Sequence, residues 1–115
     1  MSDKKLWKFV KKTTWEYATV FKLPLKKVKQ LPSDAWFYGD CSSDGRIRVQ
    51  IAFQNGRRCF RLHAYQTLDT IAHELAHLRH NNHRAAWFQL HVSILARMEK
   101  DGVYKRLRKL CRAAG

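Results

Sequence analysis

Carboxylates are scarce in this chain: nine Asp and Glu stand against 23 Lys and Arg, giving a formal net charge of +14 over 115 residues. Polyanion binding is expected from that imbalance, with a merely basic surface as the plain alternative. Cysteine is also sparse. Cys41, Cys59 and Cys111 form an odd set without a C-x-x-C pair, which excludes a disulfide framework and a cysteine metal site and points to a reducing compartment. No apolar run approaches the length of a membrane span, and the N-terminus alternates lysines with Leu6, Trp7, Phe9 and Val10 instead of forming a signal-peptide core. A cytoplasmic protein with no membrane partner is expected. Repeats and low-complexity linkers are absent too, so residues 1–115 read as one domain, large enough for a modest core.

What is present is an alternation of helical and extended patterns. Leu6, Val10, Thr13, Tyr17 and Phe21 share one face over residues 4–21, predicting an amphipathic first helix that Pro24 keeps from continuing. Residues 25–31 read as a short, charged edge strand. Residues 35–41 and 46–53 flank Ser42-Ser43-Asp44-Gly45 and predict an antiparallel hairpin, with Ile47, Val49 and Ile51 on one side and Arg46, Arg48 and Gln50 on the other. Asn55-Gly56 marks another turn, and residues 57–63 a further strand. Residues 84–99 read as a helix with Trp87, Leu90, Ile94 and Met98 inward; after Asp101-Gly102, residues 103–112 form a basic helix with Val103, Leu107 and Leu110 inward. Met98 and the tryptophans Trp36 and Trp87 are expected to be packing residues.

The chemistry concentrates in His73-Glu74-Leu75-Ala76-His77. A helix turns about 100° per residue, so His73 and His77 converge from one face and suit two ligands of a tetrahedral zinc. Glu74 lies beside them, placed to act as a general base on water that the zinc activates. With six histidines in the chain, the pattern would arise idly in on the order of one such chain in a hundred. Thr67 is the expected N-cap of this helix, with Asp69 in its first turn.

A catalytic zinc takes a third protein ligand. His80 on a continued helix would lie about 10 Å along the axis from His73, too far to share a metal. His83 follows Asn81-Asn82, where the helix can end and the chain fold back, and is the expected ligand; His63 and His91 are more distant alternatives. Tyr38, Tyr65 and Tyr104 could each stabilise an oxyanion, and no spacing selects among them. The spacing of His73, His77 and His83 matches the metzincin string except that His80 stands in place of its glycine.

With the flanks included, residues 73–88 (His-Glu-Leu-Ala-His-Leu-Arg-His-Asn-Asn-His-Arg-Ala-Ala-Trp-Phe) resemble the SprT-like and WLM/YgjP-like zinc metallopeptidases, which share an H-E-L-x-H core, then N-H, then an aromatic pair. Residues 36–49, from Trp36-Phe37-Tyr38-Gly39-Asp40-Cys41 to Ile47-Arg48-Val49, resemble their W-G-x-C-x-x-x-G-x-I strand and turn. The resemblance covers residues 20–98. It implies an α+β fold, a minimal zincin-like domain with an N-terminal helix, a small antiparallel sheet of about three strands, an H-E-x-x-H helix and C-terminal helices. It further implies Zn2+ held by His73, His77 and His83, with Glu74 catalytic, and a strand near residues 48–53 that pairs with extended substrate.

Function follows as an expectation: a monomeric zinc endopeptidase hydrolysing nucleic-acid-associated proteins, as Spartan-like enzymes cleave DNA–protein crosslinks. The contrasting readings are a non-catalytic nucleic-acid-binding domain with structural zinc and a regulatory peptidase with one partner protein. DNA or RNA would meet three basic groups: Lys4, Lys5, Lys8, Lys11 and Lys12; Lys26, Lys27 and Lys29; and Lys105, Arg106, Arg108, Lys109 and Arg112. The small size suits a phage, viral or reduced bacterial protein, working in the cytoplasm or on the nucleoid.

Overall fold

The computed structural model describes residues 2–114. Along the chain run α1 (Ser2–Val20), β1 (Lys27–Gln30), β2 (Gly39–Cys41), β3 (Arg46–Val49), β4 (Ala52–Asn55), β5 (Arg58–Arg61), α2 (Ala64–His77), α3 (Ala85–Lys100) and α4 (Val103–Ala114). The α+β class expected from the sequence is what forms. Among the described residues no helix is long and apolar enough to cross a membrane.

Helix α1 buries Leu6, Val10, Thr13, Thr14, Tyr17 and Ala18 and leaves its lysines in solvent. It ends in a Schellman motif before Pro24 is reached: Leu23 N–H bonds the Ala18 carbonyl at 2.8 Å and Lys22 N–H the Thr19 carbonyl at 3.1 Å. Lys22 takes the left-handed conformation this stop requires, at φ 55°.

The three-stranded sheet is mixed, where an antiparallel one was expected. Its order is β1-β3-β2, with β1 parallel and β2 antiparallel to β3. The segment 31–38 carries the chain from one edge to the other before β2 reverses into the central β3, and this crossing makes β1 and β3 run the same way. Gln50 secures the crossing segment. Its buried amide nitrogen lies 2.9 Å from the Ala35 carbonyl and 3.3 Å from that of Pro32, so it points inward and not outward with Arg46 and Arg48. Val49, Gln50 and Ile51 are all buried in succession, which a strand with alternating faces cannot sustain. The predicted strand 46–53 therefore breaks, and β4 leaves to pair with β5 as a separate hairpin turned at Gly56.

Helix α2 begins at Ala64, capped by His63, whose Nδ1 accepts the Tyr65 N–H at 3.1 Å. Thr67 is not the N-cap; it lies inside the first turn, buried, with its N–H bonded to the His63 carbonyl. Leu68, Ile71, Ala72, Leu75 and Ala76 face a core completed by Ile47, Val49, Ile51, Leu90, Ile94, Met98, Val103 and Leu107. Trp87, Leu90, Ile94 and Met98 are buried as predicted, and Gly102 at φ 75° turns the chain from α3 into α4. Leu110 is only half-buried.

Candidate metal centre

The last turns of α2 place His73 and His77 four residues apart, and the chain after Leu78 loops back so that His83 joins them. Their Nε2 atoms form a small triangle: 3.2 Å from His73 to His77, 3.0 Å from His77 to His83 and 3.4 Å from His83 to His73. A ring nitrogen carries either a hydrogen or a lone pair, so three Nε2 atoms in a triangle cannot all hydrogen-bond to one another, and when all three are unprotonated their lone pairs converge. The group could hold a metal ion.

Neighbouring groups fix the rings. His77 Nδ1 donates to the His80 carbonyl at 2.9 Å, which leaves Nε2 unprotonated towards the triangle. His80 thus contributes backbone and not its imidazole. Trp87 donates from Nε1 to the His73 carbonyl at 3.3 Å, and its ring lies 4.8 Å from His73, 5.4 Å from His77 and 4.6 Å from His83 between centroids. Its packing beneath the site is as the sequence led one to expect, and it takes the form of a shared floor for all three imidazoles. Burial first, then the neighbouring imidazoles, lower the His73 pKa to about 4, which favours the neutral form a metal needs.

His91 stands behind His73, with ring centroids 5.8 Å apart, and its Nε2 meets Asp69 Oδ1 at 3.0 Å. His63 sits at the opposite end of α2 as its N-cap. Neither alternative joins the triangle.

Glu74 is 6% exposed, with Oε2 4.0 Å from His73 Nε2. Burial, assisted by the Asp40 charge, raises its pKa to about 7. Strand β2 reaches this carboxylate because residue 39 is glycine. A Cβ there would come within 2.5 Å of Thr70 Cγ2, 2.9 Å of the Arg48 carbonyl and 3.3 Å of Glu74 Cγ. Gly39 therefore sets the distance between the sheet and the motif helix. An open cleft of about 510 Å³ results, lined by Gly39, Asp40, Cys41, Glu74, the three histidines and Asn81. The strand bordering it is the edge strand β2, not residues 48–53: β3 is central and β4 belongs to the hairpin. Burial, then the nearby Glu74, raises the Cys41 thiol to about 11 and keeps it protonated.

Compared with protein-family models, curated proteins and solved structures, the chain matches none.

The expected nucleic-acid residues are all exposed: Lys4, Lys5, Lys8, Lys11 and Lys12 on α1, Lys26, Lys27 and Lys29 at β1, and Lys105, Arg106, Arg108, Lys109 and Arg112 on α4. Helix α1 packs against both β1 and α4, so three groups distant in sequence lie on adjoining elements. Tyr65 and Tyr104 pair with each other at 6.4 Å near the start of α2, whereas Tyr38 directly precedes Gly39 at the cleft.

Proposed function

We propose that this chain is a zinc-dependent endopeptidase of the SprT/WLM/YgjP-like kind that hydrolyses proteins associated with nucleic acid. The observation that carries the reading is the triangle of Nε2 atoms with a buried carboxylate beside it. A tetrahedral zinc with bonds of about 2.0–2.1 Å would space its ligands about 3.3 Å apart, and the edges of 3.0, 3.2 and 3.4 Å lie close to that. Three imidazoles with one side open to a cleft also match the donor set and vacant position of catalytic zinc. When bound, zinc activates water for attack and polarises the scissile carbonyl.

The chain's own groups do the rest. His73, His77 and His83 hold the metal, and Trp87 with the His80 carbonyl keeps their rings oriented. Glu74, buried beside the triangle, would accept the proton of the attacking water and return it to the departing amine as the C–N bond breaks. The edge of β2 offers backbone groups to an extended peptide beside Glu74. A structural zinc would leave the cost of burying Glu74 without a purpose.

The basic groups on α1, β1 and α4 support nucleic acid as the localising partner. The test is cleavage of a DNA-binding protein by the zinc-loaded chain, with and without DNA, beside Glu74→Gln and metal analysis. The expected result is one zinc per chain and DNA-stimulated cleavage that Glu74→Gln abolishes while retaining zinc. Bound zinc with no cleavage under any condition would sink the peptidase reading.

A further inference from the structure

The outward face of the three-stranded sheet carries like charges where a sheet normally avoids them. The parallel register sets Lys27 opposite Arg46 and Lys29 opposite Arg48, while the intervening Val28, Ile47 and Val49 turn into the core. Like charges directly opposite destabilise a sheet. Asp44 and Asp40 offset part of the charge. Arg46 Nε lies 3.0 Å from Asp44 Oδ2, and Arg48 Nε lies 2.9 Å from Asp40 Oδ1. Four cations against two carboxylates still leave an excess positive face, in which Lys29, Asp40, Ser42, Arg46 and Arg48 line a depression of about 340 Å³.

Aromatic surface adjoins those cations. Trp36, expected to be a packing residue, is 92% exposed. Its ring meets Phe37 edge to face at 5.2 Å, and the Arg48 guanidinium lies 5.8 Å from the Phe37 centroid. So exposed an indole contributes little to the fold and is available for an outside partner.

We propose that this face binds single-stranded nucleic acid, with Lys27, Lys29, Arg46 and Arg48 contacting phosphates and Trp36 stacking on an unpaired base. Cations tracking a backbone beside an aromatic ring are how single strands are held, and bases paired within a duplex have no free face for the indole. A lipid surface would require a broader apolar face than one indole beside a half-buried Phe37. The location adds a consequence. Asp40, Cys41 and Ser42 line both this depression and the metal cleft, so only β2 separates the strand from Glu74. A protein attached to the bound strand would be presented to the cleft.

This inference rests on the nucleic-acid part of the proposed function, and its test needs no proteolysis, so either can fail alone. Anisotropy of a fluorescein-labelled oligothymidylate would be measured with the full chain over a range of salt concentrations, with duplex of equal length and anionic phospholipid vesicles as competitors. Trp36→Ala should weaken single-strand binding roughly tenfold or more and leave duplex binding unchanged, with Trp36→Phe restoring most of the loss. The double variant Lys29→Ala/Arg46→Ala should reduce the slope of log affinity against log salt by about 1.4, as expected for two lost phosphate contacts. Wild-type affinity in Trp36→Ala, equal preference for duplex, or competition by vesicles alone would each overturn the proposal.

Discussion

The metal centre and the basic surface assemble polar side chains in contrasting ways. Residues 73–83 supply all three histidines, and the shared floor of Trp87 and the His80 carbonyl hold their rings where the nitrogens meet. The cations of α1, β1 and α4 are drawn from both ends of the chain, and each extends into solvent. Function in the first region depends on geometry fixed to a few tenths of an ångström. In the second it depends on summed charge, which tolerates loose placement. A single substitution should therefore be severe in one region and graded in the other.

The contrast is widest for the ligands themselves. His77→Ala removes the corner of the triangle with the two shortest edges together with its contact to the His80 carbonyl, and metal affinity should fall by about three orders of magnitude or more. Competition with a chromophoric chelator measures this, and a loss under tenfold would mean that the three nitrogens do not act together. Trp87→Ala probes their support. Removing a ring that is 6% exposed should cost about 3 kcal/mol or more in denaturant unfolding and also weaken metal binding, because all three imidazoles rest on it. A loss of stability with unchanged metal affinity would separate the floor from the site.

Substitutions in the basic surface should be milder. Lys109→Ala removes one exposed cation from α4 and should change nucleic-acid affinity only a few-fold, reducing the salt slope by about 0.7–0.9. A collapse of binding from that single change would show that the surface, too, is a built site.

Legibility from sequence follows the same division. The triangle was readable because its information is local: helix geometry relates His73 to His77, and Asn81-Asn82 announces the turn that returns His83. The helices were readable from their apolar periodicity, as at Leu90, Ile94 and Met98. The sheet was not, because its pairing is non-local. The pattern Ile47, Val49, Ile51 gave a strand direction and not a partner, so the parallel pairing of β1 with β3 stayed hidden, as did the inward turn of Gln50, which depends on the carbonyls of segment 32–35. Gly39 and Trp36 stand out in the sequence only as parts of a motif. The close approach permitted by Gly39 emerges only when β2 is seen beside α2, and the exposure of Trp36 only in the folded crossing segment.

Beside the basic helices one contact is itself precise. Tyr17 of α1 donates its hydroxyl to Asp101 Oδ2 at 2.6 Å, and Arg97 of α3 reaches the same carboxylate at 3.2 Å, so the turn before α4 is tied to both helices. The Tyr17 hydrogen bond, helped by the charges of Arg97 and Lys100, holds the Asp101 carboxyl below the usual carboxylate range. A lowered folded pKa contributes stability that is complete above the unfolded value of about 3.9 and lost as pH falls through the folded value. Asp101→Asn should therefore lower Tm slightly at neutral pH, and the gap from wild type should close below about pH 4. Thermal melts across the acid limb measure it. A gap that stayed constant with pH would assign the effect to hydrogen bonding alone, which asparagine partly preserves; a closing gap would mean that the carboxylate's charge ties the N-terminal helix to the C-terminal basic one.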